Sequence, residues 1–305
     1  MHPAPSIILF STLSGLGYGL AVMLGLGLLD PALVSTKTAH LLALVLITGG
    51  LLASTLHLGN PQRAWRALSQ WRSSWLSREG VMAVATFVPL LASAWASLFH
   101  DMRLPLVGLL GAVMCAVTVY CTAMIYASLR AIQAWNTPLT PACYLLFSLA
   151  GGLVLVAMFA TLGGSLSGWI ALAGVSALTA AWTAKWAWWR RLRTMAPIST
   201  PASATGLGGI GAVRLFERPH VNENYLTREM GYKVARKHAA KLSLLATAAG
   251  GILPSLVLLA ATISGTGIAI IFCTLAFAGF ALGSLIERWL FFAQARHAVM
   301  NYYGG

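Results

Sequence analysis

The residues best suited to chemistry lie in one polar segment, 54–80, between two long apolar stretches. His57 closes the first stretch and Glu79 opens the second, so consecutive membrane helices would place both side chains at one membrane boundary. An imidazole and a carboxyl group can exchange protons near neutral pH. The segment also carries four arginines and three tryptophans. The alternative interpretation of this composition is an amphipathic segment lying on a membrane surface.

The composition of the chain indicates which kind of helices flank this segment, because it is strongly apolar. Of 305 residues, 58% are hydrophobic and 9% are charged, with a mean hydropathy of +0.77. An ordinary soluble domain is roughly 45–50% apolar and about 25% charged. Disordered, nucleic-acid-binding and conventional globular classes are therefore excluded despite the net charge of +13. The composition predicts an all-α, polytopic membrane protein.

A helix needs about 20 mainly apolar residues to cross the hydrocarbon core of a bilayer. Windows of that length predict one integral membrane domain over residues 1–305, with eight spanning helices. The predicted spans are 6–29, 39–57, 80–99, 104–127, 141–162, 167–186, 241–263 and 266–290. Because the number of spans is even, both termini lie on one side. The N-terminus lacks the cationic region of a signal peptide, so we expect the first span to be retained.

The basic residues predict that both termini are cytoplasmic. In that orientation 18 of the 20 Lys and Arg lie inside, and Lys37 and Arg103 alone lie outside. The same orientation places the long connections, 58–79, 128–140 and 187–240, on the inner face. Long loops usually carry function or partners, so we expect partners to dock there. Segment 198–211 is expected to be flexible or extended until a partner orders it.

Charged residues are expected at the ends of the spans and not in mid-membrane. Glu287 falls near the end of the last span, and the basic block that begins at Lys185 is predicted to anchor its helix to anionic lipid. The missing mid-membrane charge disfavours a proton pump or an ion-coupled carrier. A secondary transporter remains the alternative from a different functional class. The four cysteines lie in apolar stretches without a CxxC pair, which predicts core residues and no metal site.

Three blocks of sequence resemble a known family. His57-Leu-Gly-Asn-Pro-Gln-Arg-Ala, followed by Leu76-Ser-Arg-Glu, is similar to the signature of the dimethyl sulfoxide reductase membrane-anchor family. Blocks 222–242 and 287–297 are more similar to the branch that contains the membrane subunit of quinone-linked sulfite dehydrogenases. The likeness extends over essentially the whole chain and includes the eight-span plan.

The resemblance implies a membrane anchor that is not an enzyme alone. Its partners would be a molybdopterin catalytic subunit and a ferredoxin-like iron–sulfur subunit, docked on the cytoplasmic face of the inner membrane of a bacterium. Molybdopterin and the clusters would reside in those partners. Electrons would pass from cytoplasmic sulfite oxidation to a quinone, either ubiquinone or menaquinone. The alternative within the family is a quinol-oxidising anchor of a dimethyl sulfoxide reductase-type complex.

The resemblance also implies a quinone site at the inner boundary, with His57 and Glu79 at the matching positions. Quinone reduction consumes protons, so the carbonyl oxygens need a hydrogen-bond donor that is reloaded from water, and an imidazole suits that near neutral pH. Glu79 could bring protons from the cytoplasm. Arg72 or Arg78 could stabilise negative charge on the ring, and each could equally contact a lipid phosphate or a partner.

Haem b is a possible second cofactor that the resemblance does not favour. Bis-histidine ligation needs two imidazoles that face each other at one depth. His57 with His238 or His297 on the inner side, or His40 with His100 on the outer side, are the pairs that remain geometrically possible. The anchor of dimethyl sulfoxide reductase is haem-free, so we expect no haem.

Overall fold

The computed structural model describes residues 2–55, 59–164, 166–217, 230 and 234–302. These residues form helices and connecting turns, and none of them lies in a strand. Seven of the described helices are long and apolar enough to cross a membrane, whereas the sequence predicts eight. The eighth long helix, Gly168–Thr194, corresponds to the predicted span 167–186. It is less apolar because Lys185 and several arginines lie in its C-terminal part.

Eight helical rods make up the described part of the bundle. The first six are α1 (Pro5–Leu26), α2 (Val34–Thr55), α3 (Trp75–His100), α4 (Pro105–Ala127), α5 (Leu139–Leu162) and α6 (Gly168–Thr194). The seventh rod joins α8 (Val234–Thr247), a π-helical turn (Ala248–Ile252) and α9 (Leu253–Thr262), and the eighth is α10 (Thr266–Ala293). Between α6 and α8 lies the short helix α7 (Pro201–Thr205). Short 3₁₀ helices occur at Pro61–Gln70, Leu207–Gly209 and Ala298–Tyr302.

Helix α1 is central, since it packs against α2, α4 and α5. Glycines allow this close packing. A Cβ atom added to Gly19 would collide with the carbonyl of Ser148 on α5, and one added to Gly25 would collide with the backbone of Gly108 on α4. Small residues at such crossings are typical of membrane helices, where backbones approach closely. Polar side chains of α1 are thereby brought next to those of α4 and α5.

Helix α3 begins earlier than the predicted span. Ser74 is its N-cap, and the Ser74 hydroxyl accepts a hydrogen bond from the Ser77 backbone N–H at 3.5 Å. A serine cap of this kind satisfies an N–H group that the first helical turn leaves unbonded. The predicted loop 58–79 therefore ends at residue 74, and Glu79 lies inside the helix instead of at its first residue.

The long connection 187–240 is also shorter than predicted. Helix α6 continues to Thr194 and α8 begins at Val234. Segment 198–211 is not uniformly extended, because it contains α7 and a 3₁₀ turn. Thr200 and Ser203 form a capping box that starts α7, and Pro201 occupies its first position. The side chains of this segment remain largely exposed.

We call the end of the bundle at which α1 begins and α10 ends the terminal end. The starts of α3 and α5 and the ends of α4 and α6 share it, because successive rods alternate in direction. Contacts confirm this arrangement: Ala298 N–H donates to Ala131 O at 2.8 Å, and the Gln133 amide donates to Ala196 O at 2.9 Å. The predicted site residues that the structure describes, Arg72, Arg78 and Glu79, lie at this end.

Candidate functional site

Glu79 is a buried carboxylate one turn into α3, with 7% of its surface exposed. The Thr122 hydroxyl on α4 lies 3.4 Å from Glu79 Oε1 and 3.1 Å from Thr118 O, so it can donate to either. Among the described residues no cation lies within ion-pair distance of Glu79. A carboxyl group held only by a neutral hydroxyl can gain or lose a proton without breaking an ion pair.

The polar segment before α3 is fixed to the helix beside Glu79. The Ser77 hydroxyl donates a hydrogen bond to Ala67 O in the 3₁₀ helix Pro61–Gln70. Gly80 leaves room for the Leu68 side chain, which a Cβ atom at that position would strike. The segment therefore packs against the first turns of α3 through residues on either side of Glu79 in the sequence.

The structure places both candidate arginines on this segment and not against Glu79. Arg78 donates from Nε to Trp71 O at 3.0 Å and from Nη2 to Arg72 O at 2.7 Å. Its guanidinium also lies 4.3 Å from the centroid of the Trp75 ring. Arg72 is exposed, 5.5 Å from the Trp71 ring. Arg78 thus closes the turn that leads into α3, and Arg72 faces the surface.

His57, the other half of the predicted pair, lies outside the described residues. Helix α2 is described up to Thr55, at the terminal end that also holds Glu79. Of the other histidines named for haem, His238 and His100 are exposed, and His297 Nδ1 accepts a hydrogen bond from Val299 N–H at 3.2 Å. The described residues hold no group of three or more His, Cys, Asp or Glu that could bind a metal ion.

A second charged group, which the sequence did not predict, is buried in the bundle. Lys185 Nζ on α6 lies 2.6 Å from Glu287 Oε1 on α10, and Arg288 Nε lies 3.3 Å from Glu287 Oε2. The three side chains are at most 4% exposed. The predicted lipid anchor is therefore wrong for Lys185, and Glu287 lies inside the helix bundle instead of at an exposed helix end.

Aromatic rings enclose this charged cluster, which consists of Lys185, Glu287 and Arg288. Lys185 Nζ lies 3.9 Å from the Trp188 ring centroid, and the Arg288 guanidinium lies 3.8 Å from the Tyr144 ring centroid. Ring faces attract cations, most strongly where water is excluded. The spacing in the sequence gives a signal for this, because residues three and four positions apart share a helix face. Lys185 with Trp188 shows that spacing.

A small cavity of about 20 Å³ lies between α1, α4, α5 and α10. Thr122 lines it on the side of Glu79, and Arg288 lines it on the side of the charged cluster. Its other polar lining residues are Ser11, Thr12, Ser14, Tyr18, Tyr144, Ser148 and Ser284. The cavity thus lies between the two buried carboxylates, since Thr122 contacts Glu79 and Arg288 contacts Glu287.

Comparison with known proteins identifies the family. The family described as DMSO reductase anchor subunit (DmsC) matches residues 1–293. The chain belongs to this family. A relative from Allochromatium vinosum, described as a sulfite dehydrogenase subunit, is 33% identical over 327 aligned residues, which cover 99% of each chain. No solved structure matches the chain. The predicted family is confirmed, and the protein is a multi-pass membrane anchor subunit of a molybdoenzyme.

The surface of the anchor at the terminal end contains a second, larger cavity. A cavity of about 440 Å³ opens there between the 128–138 connection, the end of α6 and residues 294–301. Gln133, Arg193, Gln294 and Asn301 contribute its polar lining, with apolar residues such as Leu192 and Ile198 beside them. Arg191 ties the parts together by donating to Gln133 O at 3.3 Å. The anchor therefore presents one connected surface at this end.

Proposed function

We propose that the chain is the membrane anchor and quinone-reactive subunit of a three-part oxidoreductase in the inner membrane of a bacterium. A molybdopterin subunit would oxidise sulfite in the cytoplasm, and a ferredoxin-like iron–sulfur subunit would carry the electrons to a quinone at the anchor. The whole-chain likeness to the sulfite dehydrogenase subunit from Allochromatium vinosum supports this choice of substrate.

One observation carries the quinone assignment: Glu79 is a buried carboxyl group with a neutral hydroxyl as its partner, at the end of the bundle that also holds the polar segment. A quinone that accepts electrons must also accept protons, and a carboxyl group within reach of a carbonyl oxygen can supply one. His57, which follows α2 in the sequence, would donate a hydrogen bond to the quinone. Arg78 would hold the 59–74 segment over the site, since its guanidinium binds two carbonyls of that segment.

The partners would dock on the terminal end. The positive-inside rule assigns 18 of the 20 basic residues of the sequence to the cytoplasmic side, which supports a cytoplasmic position for this end. The connected surface around Gln133, Arg193 and Asn301 supplies an ordered platform for them. A reporter that is active only outside the membrane should therefore stay silent when it is fused at residue 305 or within 198–211. Strong activity at either position would reverse the orientation.

Two alternatives remain. A quinol-oxidising anchor of a dimethyl sulfoxide reductase-type complex would use the same site with electrons flowing in the opposite direction. A secondary transporter receives less support, because the chain belongs to an anchor family. The cofactor proposed for the anchor is a quinone alone, with haem b the less favoured addition.

The deciding experiment is purification of the tagged chain in mild detergent from its native host. We expect two soluble-type subunits, molybdenum and iron to copurify, and sulfite to reduce a quinone analogue. A preparation that reduces dimethyl sulfoxide with quinol, and does not oxidise sulfite, would favour the first alternative. Recovery of the chain without partners or metals would contradict the proposal.

A further inference from the structure

The cavity between α1, α4, α5 and α10 is lined by polar atoms that have no partner among the described residues. They include Thr12 Oγ1, Tyr18 OH, Ser284 Oγ and Arg288 Nη1, each of them buried. Buried polar atoms in folded proteins are almost always hydrogen-bonded. Several such atoms converging on one space indicate that a polar occupant completes their hydrogen bonds.

The size of the cavity identifies that occupant. Its volume of about 20 Å³ is just above the roughly 10–15 Å³ that one water molecule needs, and a buried water needs two to four polar partners. A quinone ring or a lipid chain is far too large for this space. A water is also suited to the mixed lining, because it can accept from the Arg288 guanidinium and donate to the hydroxyl oxygens.

The charged cluster holds Arg288 at this cavity. Glu287 forms ion pairs with Lys185 and with Arg288 Nε, and Tyr144 covers the guanidinium face. The Nη1 atom of Arg288 is left at the cavity wall as a fixed donor. The Lys185–Glu287 pair therefore acts as a support that fixes the position of Arg288.

The opposite wall leads to the candidate site. Thr122 lines the cavity and can donate its hydroxyl proton to Glu79 Oε1, 3.4 Å away. A hydroxyl can donate one proton while it accepts another, so Thr122 can connect a cavity water with Glu79. A water in the cavity would join Thr122 and Glu79 in one series of exchangeable protons.

We propose that the cavity binds one permanent water, oriented by Arg288, which supplies protons through Thr122 to Glu79. This inference rests on the proposed quinone site. When Glu79 gives its proton to a quinone oxygen, the Thr122 hydroxyl passes its proton to Glu79 and takes one from the water, which regains a proton from the solvent. Arg288 is a positioning residue in this scheme, since it fixes the water and transfers no proton.

The functional test removes partners of the water without changing side-chain volume. The double variant Thr12→Val, Tyr18→Phe keeps the shape of the cavity and deletes two hydroxyls. We expect quinone reduction by the intact complex to fall by about tenfold, with a larger slowing in D₂O than the parent shows. Electron transfer from sulfite to a soluble dye at the partner subunits should be unchanged.

The matched control is Thr161→Val, because Thr161 is a buried hydroxyl on α5 that bonds Ala157 O and contacts Cys273 away from the cavity. It should behave like the parent in both assays. Parental quinone reduction and a parental D₂O effect in the double variant would overturn the water relay while leaving the quinone site intact. A parent complex that reduces no quinone would instead overturn the proposed function.

An experimental density map of the unmodified complex gives a second test that does not depend on any variant. Ordered water density should lie within hydrogen-bond distance of the Arg288 guanidinium and the Thr122 hydroxyl. An empty cavity or a bound ion in that position would overturn the inference even if the quinone site is correct.

Discussion

Glu79 and Glu287 are both buried carboxylates near the terminal end of one bundle, and their surroundings differ in charge. Glu287 lies between two cations, with Lys185 Nζ at 2.6 Å and Arg288 Nε at 3.3 Å. Glu79 has a neutral partner, the Thr122 hydroxyl. Burial alone therefore does not identify a reactive carboxyl group. A carboxylate fixed by two cations holds helices together, whereas one bonded to a hydroxyl can change its protonation.

The physical reason is the cost of an unpaired charge in a low-dielectric interior. Removing Glu287 would leave two buried cations without a counter-charge, which is strongly unfavourable. Replacing Glu79 by a neutral amide removes a charge that had no cationic partner among the described residues. The two positions should consequently respond to substitution in opposite ways, one in stability and the other in activity.

The largest effect is expected for Glu287→Gln. Loss of the carboxylate should destabilise the protein by about 3–5 kcal/mol, because Lys185 and Arg288 stay buried without their partner. Thermal unfolding of the purified anchor in detergent measures this change. A melting temperature close to that of the parent would mean that the cluster is hydrated and contributes little.

A variant that removes all three charges of the cluster tests whether the instability of Glu287→Gln comes from the unpaired cations. Replacing the whole cluster, Lys185→Met with Glu287→Gln and Arg288→Met, removes every charge of the cluster and should recover most of the lost stability. If the water relay is correct, the recovered protein should still be slow in quinone reduction, since Arg288 is gone. Full recovery of both stability and quinone turnover would show that the cluster has no role beyond packing.

The second effect concerns the proposed site itself. His57→Ala should lower quinone turnover by at least about tenfold, corresponding to roughly 1.4 kcal/mol. Glu79→Gln should lower quinone turnover by about tenfold or more, because the amide keeps the size of the side chain but cannot give a proton to the quinone. Both variants should keep parental melting temperatures and dye-linked activity. The control is Asp30→Asn, a carboxylate at the opposite end that bonds Ala32 N–H.

Measuring both dye-linked activity and quinone turnover in the His57 and Glu79 variants distinguishes loss of the quinone site from failure of the complex to assemble. Loss of dye-linked activity together with quinone turnover would indicate that the partners no longer bind. Normal assembly with parental quinone turnover in both variants would place the quinone elsewhere in the anchor.

A smaller effect is expected for Arg78→Ala. It removes two hydrogen bonds to the carbonyls of Trp71 and Arg72, so the 59–74 segment should be held less firmly over Glu79. We expect about a threefold rise in KM for quinone with little change in kcat, since charge-assisted hydrogen bonds at exposed positions contribute modestly. Arg72→Ala is the matched control, and a comparable KM change there would indicate a general charge effect.

Deletion of residues 200–211 should have the smallest effect on the properties that depend on Glu79 and Glu287, which are quinone turnover and stability. This exposed segment contains α7 and lines neither the cavity nor the charged cluster, so stability and the eight rods should be preserved. Retention of the soluble partners on washed membranes should weaken. Partner recovery equal to that of the parent would show that the segment is a passive linker.

Much of the fold could be predicted from the sequence. Each of the eight predicted spans overlaps a long helical rod, because apolar segments of sufficient length satisfy their backbone hydrogen bonds as helices in a bilayer. The family could also be recognised from the sequence, because blocks such as His57-Leu-Gly-Asn-Pro-Gln-Arg-Ala are contiguous and require no knowledge of the tertiary structure. The helix ends were less predictable, because Ser74 caps α3 and the basic residues of α6 are compatible with a helix.

The tertiary structure alone decided which charges face one another. Lys185 and Glu287 are far apart in sequence, and each looks like a residue at the end of a span. Side-chain pairing depends on how α6 and α10 are rotated about their axes, and hydropathy, which records length and composition, contains no information on that rotation. The same holds for Glu79. Its position was apparent in the sequence, but its neutral partner Thr122 follows from the packing of α3 against α4.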